Sequence, residues 1–105
     1  MSTEIVWSNF AEKQLDKIFL YYLQNAGKKV AIKMIQKIIK EPNRLQKSPF
    51  VGQEEEFLKG RKVVYRYVLV EKFKIIYSVD EVVGLIKIAD VFDTRQNPEK
   101  ILRKK

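Results

Sequence analysis

The sequence contains neither cysteine nor histidine. Without cysteine there can be no disulfide framework, thiolate nucleophile or thiolate metal site. Without histidine the commonest general base and the commonest metal ligand are gone. Proline and glycine are scarce, three and four among 105 residues, so the places where the chain must turn or stop can be read one by one. Long apolar runs are missing too, and none approaches the roughly 20 residues that span a bilayer. The opening MSTEIVW lacks the basic then apolar pattern of a secretory signal. The expectation is a soluble cytoplasmic protein with no membrane association, no metal and no cofactor.

Acidic residues are the other shortage: 13 Asp and Glu stand against 21 Lys and Arg, a formal net charge of +8. Divided at Gly52, the first part has nine basic and four acidic residues and the second twelve and nine. The positive field is therefore spread over the chain and is not a basic tail. Nucleic acid, a nucleic-acid-bound machine or an acidic protein are the partners such a field attracts, with plain solvation as the alternative. A length of 105 residues accommodates one domain, residues 1–105, with one modest core.

What is present in quantity is β-branched and aromatic sequence between Gly60 and Asn97. Residues 63–70, 73–79 and 85–92 are rich in Val, Ile, Tyr and Phe, which suit a pleated, half-buried surface. Glu71-Lys72 is short enough for a tight hairpin, and residues 80–84 make a longer turn ending in glycine. These features predict an antiparallel meander. Period two places Phe73, Ile75 and Tyr77 on one face and Lys74, Ile76 and Ser78 on the other. On the last strand it places Ile86, Ile88 and Phe92 on the covered face and Lys87, Ala89 and Val91 on the open one.

Upstream, Glu4-Ile5-Val6-Trp7 is a short β-prone run, and Trp7 reads as core. Ser8 and Asn9 are good N-cap residues, with Glu12 three after Asn9 as in a capping box. Ala11, Leu15, Ile18 and Tyr22 then recur at helical spacing, widened by Phe19 and Leu23, until Asn25-Ala26-Gly27 supplies a stop. From Lys28 the positions Ala31, Met34, Ile35, Ile38, Ile39, Pro42 and Leu45 form a second apolar stripe. Lys29, Lys33, Lys37, Lys40 and Arg44 lie opposite, a solvated face first and a docking surface second. Pro42 predicts a kink or restart near Lys40. Residues 53–59, with Glu54-Glu55-Glu56, read as an exposed connector. Asn97-Pro98-Glu99 starts a short C-terminal helix or a frayed basic tail.

The expected fold is α+β: a helical hairpin packed on one face of a mainly antiparallel four-stranded sheet, in the order β-α-α-β-β-β with a short C-terminal helix. In this order several local strings resemble the RelE/ParE superfamily, the small basic toxins of bacterial type II toxin-antitoxin pairs. They are Ile5-Val6-Trp7-Ser8 with Ala11 and Leu15, then Leu45 with Ser48-Pro49 and Gly52. Tyr65-Arg66-Tyr67, Phe73-Lys74-Ile75-Ile76-Tyr77 and Val91-Phe92-Asp93-Thr94-Arg95-Gln96-Asn97-Pro98 complete the set, which spans nearly the whole chain.

The resemblance implies a growth-arresting toxin neutralised by a cognate antitoxin, expected to be acidic and partly disordered and to fold onto the basic surface. Members resembling RelE cut messenger RNA in the ribosome, whereas members resembling ParE inhibit DNA gyrase without known chemistry. Cutting RNA without a metal needs a base for the 2′-hydroxyl, cations for the phosphate and an acid for the leaving oxygen. By resemblance Lys74 falls where the nucleases hold phosphate with arginine, and Arg95 lies near a second cationic position. If the chain is a nuclease, Lys74 and Arg95 are the catalytic candidates, and alanine at either is expected to lower cleavage by orders of magnitude and spare the fold.

The open-face positions before the hairpin are Tyr65 and Tyr67, where the nucleases carry lysines or a carboxylate. Residues 101–105 have no tyrosine or histidine where the nucleases carry one. These departures favour the gyrase-inhibiting branch, or a loss of activity, with the messenger RNA endoribonuclease and a non-toxic nucleic-acid-binding domain as alternatives. Tyr65, Tyr67 and Tyr77 read as sheet packing before catalysis. Arg61, Lys62, Arg66, Asp93, Lys100 and Arg103 are the candidates for partner or nucleic-acid contacts, with Arg66 alternatively paired to Asp90 or Asp93 across strands.

Overall fold

The computed structural model describes residues 3–102. Strand β1 (Glu4–Trp7) runs straight into helix α1 (Asn9–Ala26). Ser8 is the cap: its hydroxyl accepts the Ala11 N–H at 3.0 Å and donates to the Ala89 carbonyl at 3.2 Å, so one side chain starts the helix and ties it to the sheet. Gly27, at φ 92°, separates α1 from α2 (Lys28–Lys40). Pro42 acts as expected: the α-helix stops at Lys40 and the chain continues as a 3-10 helix, Glu41–Gln46. The inward stripe of the hairpin, Ala11, Leu15, Ile18, Tyr22, Ala31, Met34, Ile38 and Leu45, joins the main core. Ile39 does not, and is exposed.

The sheet has five strands, not four, in the order β1-β5-β4-β3-β2, where β2 is Gln53–Glu54, β3 Arg66–Val70, β4 Phe73–Asp80 and β5 Leu85–Asp93. The two-residue β2 lies in the stretch expected to be a free connector, and pairs antiparallel with Arg66 and Tyr67. β1 is parallel to β5 and every other pairing is antiparallel. Residues 63–65, expected to open β3, lie outside it despite their β propensity, and the Tyr65 carbonyl instead accepts the Glu55 N–H at 2.8 Å. β propensity alone does not extend the strand: β4 runs on to Asp80, yet its ladder with β3 begins only at Arg66.

Phe73, Ile75 and Tyr77 face the helices as the period-two pattern predicts. On β5 the pattern fails after Ile88, because Ile76 pairs with Asp90 while Tyr77 pairs with Ile88, leaving Ala89 as an extra residue. This bulge flips the parity of everything beyond it. Val91 therefore joins the helix-side core, and Phe92, assigned to that side by alternation, turns to the other face. That other face is not open. Phe92 and Ile76 are covered by Leu58 from a 3-10 helix, Glu56–Leu58, and by Ile101 from a C-terminal 3-10 helix, Pro98–Leu102. A one-turn segment is marginal alone, and burying Ile101 anchors this one with about 2 kcal/mol.

Candidate functional site

Lys74 sits on the β4 face that points away from the helices, and it is already engaged. Its ammonium donates to Glu55 Oε1 at 2.7 Å and lies 4.3 Å from the centre of the Tyr67 ring, whose hydroxyl donates to Gln53 Oε1 at 3.0 Å. Glu55 is only 1% exposed, and its second oxygen accepts the Phe57 N–H at 3.0 Å. The residue expected in an exposed acidic connector is thus a buried carboxylate, held by Lys74 and by the helix start that it caps. Such a carboxylate is tolerated because both oxygens are satisfied and one partner is a cation. The Glu54-Glu55-Glu56 triplet conceals it. The one local hint is the apolar pair Phe57-Leu58 directly after it, which pulls that segment onto the sheet.

Arg95 lies past the end of β5. Its side chain grips Asp93 twice, Nε to Oδ1 at 3.1 Å and Nη2 to Oδ2 at 2.7 Å, and its backbone N–H donates to the same Oδ1 at 2.9 Å. These bonds hold the Asp93 carboxyl below its ordinary pKa and the guanidinium above its own. The pair borders a cleft of about 190 Å³ against α1, lined by Lys17, Tyr21, Tyr22, Phe73 and Val91. Lys74 and Arg95 are therefore not brought together: one belongs to the face covered by Leu58 and Ile101, the other to the rim facing α1.

The Asp93–Arg95 clamp has a predictable acid signature. A carboxyl with a depressed folded-state pKa adds stability above the ordinary carboxylate value of about 4, and that stability is lost as pH falls through the lower folded value. Melting temperatures measured between pH 5 and pH 2 should fall less steeply for Asp93→Asn than for the parent chain.

Arg66 pairs with neither Asp90 nor Asp93. It stands opposite Tyr77 on the helix side, whereas Asp90 stands opposite Ile76, one residue along and on the other face. Its Nη1 donates to the Gly52 carbonyl at 3.0 Å, and its guanidinium lies 5.4 Å from the centre of the Phe50 ring. Tyr77, fully buried, fastens the same turn: its hydroxyl donates to the Pro49 carbonyl at 2.7 Å and accepts the Gly52 N–H at 3.0 Å. Burial raises the Tyr77 pKa, so the phenol stays neutral and donates. Ser48-Pro49-Phe50-Val51-Gly52 is hence a braced loop. Sequence reasoning assigned its turn chemistry but not its two clamps.

Arg61, Lys62 and Lys100 are exposed, and Arg103 lies outside the described residues. On α2, Lys37 pairs with Glu71 at 2.7 Å, and Lys29, Lys33 and Lys40 line the exposed side. No cluster of three or more potential metal ligands occurs among the described residues, and among them no helix is long and apolar enough to cross a membrane.

The family model of the ParE toxin of type II toxin-antitoxin systems, parDE, matches residues 5–98. The chain belongs to the ParE toxin family. The solved structure of the chromosomal ParDE TA system from P. aeruginosa is similar in fold, with a TM-score of 0.72 at 21% identity, over 88% of this chain and 96% of that one. No curated protein sequence matches the chain. The matched region takes in the helical hairpin, nearly all of the sheet and, in this chain, the Lys74–Glu55 pair and the Asp93–Arg95 clamp.

Proposed function

We propose that this ParE-family chain is a growth-arresting cytoplasmic toxin that acts by binding DNA gyrase, with no ribonuclease chemistry, and that a cognate acidic, partly disordered antitoxin neutralises it. The observation that carries this reading is the separation of its two best nuclease candidates. Lys74 is neutralised by Glu55 at 2.7 Å, and Arg95 is occupied by Asp93 on the rim facing α1. Phosphoryl chemistry without a metal needs cations converging on one phosphate. Lys74 and Arg95 do not converge, and Tyr65 and Tyr67 pack with Leu58, Ile76, Phe92 and Ile101.

A binding toxin needs only a surface. The exposed cations Arg61, Lys62 and Lys100 and the lysine-rich side of α2 offer one to an acidic partner, within the field of a +8 chain. The test is brief induction in a bacterial host lacking the antitoxin, with messenger RNA 5′ ends mapped and gyrase supercoiling assayed using the purified chain. Growth arrest with no new 5′ ends, together with loss of supercoiling activity, is the expected result. New ends within translated codons that vanish in Arg95→Ala would replace this reading with the ribosome-dependent nuclease. Salt-sensitive binding to DNA or RNA without growth arrest would replace it with a non-toxic binding domain.

A further inference from the structure

The cleft between α1 and the end of β5 has a floor and a rim of different chemistry. Ile18, Tyr22, Phe73 and Val91 make the floor, and all but Ile18 are buried. Its rings are set edge to face: the centres of Tyr22 and Phe73 lie 6.5 Å apart at 72°, and those of Tyr21 and Tyr22 5.3 Å apart at 89°. Tyr21 is 48% exposed and lines the mouth. Aromatic rings favour this arrangement, so a further ring entering from solvent continues the series. The size agrees. A cavity of about 150 Å³ holds benzene, and this one is about 190 Å³, below the roughly 300 Å³ at which sites for whole small molecules and cofactors begin.

The rim is positive. Lys17 and Arg95 stand there against a single acid, Asp93, both of whose oxygens Arg95 already holds. Lys17 has no ion-pair partner among the described residues. Lys72 adds a third cation close by, its ammonium 5.2 Å from the centre of the Tyr22 ring, and Lys13 precedes Lys17 by one helical turn. The two acids of α1, Glu12 and Asp16, fall on the opposite side of the helix from Gln14, Ile18 and Tyr21.

A recess for one ring beside an uncommitted ammonium is complementary to a ring beside a carboxylate. A disordered acidic chain can present that pair at any point along its length, and a single buried aromatic anchor supplies much of the energy of such a contact. We infer that this cleft anchors the acidic antitoxin: one phenylalanine- or tyrosine-sized ring of its extended segment enters against Tyr22 and Phe73, and an adjoining carboxylate meets Lys17. The inference rests on the antitoxin reading above and adds which surface recognises that partner and by what side chains.

The test has two arms. In the first, the isotope-labelled full chain is titrated, at about 0.15 M salt, with a blocked pentapeptide of one phenylalanine between two pairs of glutamates, and followed by amide NMR. Shifts should saturate at Gln14, Lys17, Tyr22, Phe73 and Gln96 with a dissociation constant on the order of 1 mM, and alanine for the phenylalanine or lysines for the glutamates should weaken binding at least tenfold. Lys17→Glu, at an exposed site, should leave the melting temperature unchanged and make the lysine-flanked peptide the better ligand. No saturable shift, shifts spread over the α2 lysines instead, or an alanine peptide that binds as well would overturn the inference, the last two by showing attraction through the overall field alone. The second arm measures, by calorimetry, the purified antitoxin encoded beside the toxin, whose affinity should fall at least tenfold for Lys17→Glu. An unchanged affinity overturns the inference and leaves the antitoxin reading standing. No binding to the parent chain strikes that reading and the inference with it, and a Lys17→Glu chain that no longer arrests growth gives the cleft to the target and overturns the inference alone.

Discussion

Lys74→Met will destabilise the domain by about 3–5 kcal/mol, and Glu55→Gln by clearly less, about 1–2 kcal/mol. The asymmetry follows from exposure. Removing the lysine strands a carboxylate that is 1% exposed, its remaining partner the Phe57 N–H. Removing the carboxylate's charge leaves an ammonium whose side chain is 21% exposed and which still lies over the Tyr67 ring, so water can take the place of Glu55. Urea unfolding followed by circular dichroism measures both. Equal costs would overturn the exposure argument, and a negligible cost for Lys74→Met would mean that the pair does not hold the Glu56–Leu58 turn on the sheet. The double variant Lys74→Met/Glu55→Leu should recover most of the loss, because two apolar groups bury without desolvating a charge. The result also bears on activity. Lys74 is part of the fold, so lost toxicity in Lys74→Ala does not by itself mark a catalytic residue, and Arg95→Ala is the cleaner probe.

The second large effect is expected at Gly52. A β-carbon built there would lie 2.5 Å from the Tyr77 hydroxyl and 2.7 Å from the Tyr67 carbonyl oxygen. Neither neighbour can yield cheaply. Tyr77 is fully buried with two hydrogen bonds on its hydroxyl, and the Tyr67 carbonyl belongs to the backbone of β3. Gly52→Ala should therefore cost about 3 kcal/mol and lower the melting temperature by about 10 °C or more. Gly60→Ala is the control. A β-carbon at Gly60 would meet nothing within 4 Å, and the φ of 84° there costs a side chain about 1 kcal/mol of backbone strain. A Gly52→Ala variant no less stable than Gly60→Ala would show that the 48–52 loop moves freely, and would also remove the support for Phe50 at the hairpin end of the sheet.

Most of the secondary structure was legible because its signals are local. Ser8 caps, Gly27 stops and Pro42 ends an α-helix through geometry that spans only a few residues. Alternation along β4 assigned Phe73, Ile75 and Tyr77 to the helix face because nothing interrupts the pleat between them. The same rule misassigned Val91 and Phe92, since one added residue at Ala89 inverts the pattern and no composition signal marks it. Residues 53–54 were missed as a strand because two residues carry no period.

The candidate site was less legible than the fold. Lys74, Arg95, Asp93 and Arg66 could be singled out by type and position, but their partners could not. Glu55 is 19 residues from Lys74 and Gly52 is 14 from Arg66, and those separations close only when β2 and the Glu56–Leu58 turn fold back over the sheet. Sequence by itself determined the succession of elements, the amphipathic helices, the tight Glu71-Lys72 hairpin and the positive field, all consequences of local propensity, periodicity and composition. The tertiary structure alone decided that Lys74 is neutralised, that Arg95 faces α1 and that Phe92 turns away from the helices. Burial and charge pairing depend on which distant segments meet, and that is a property of the packed chain.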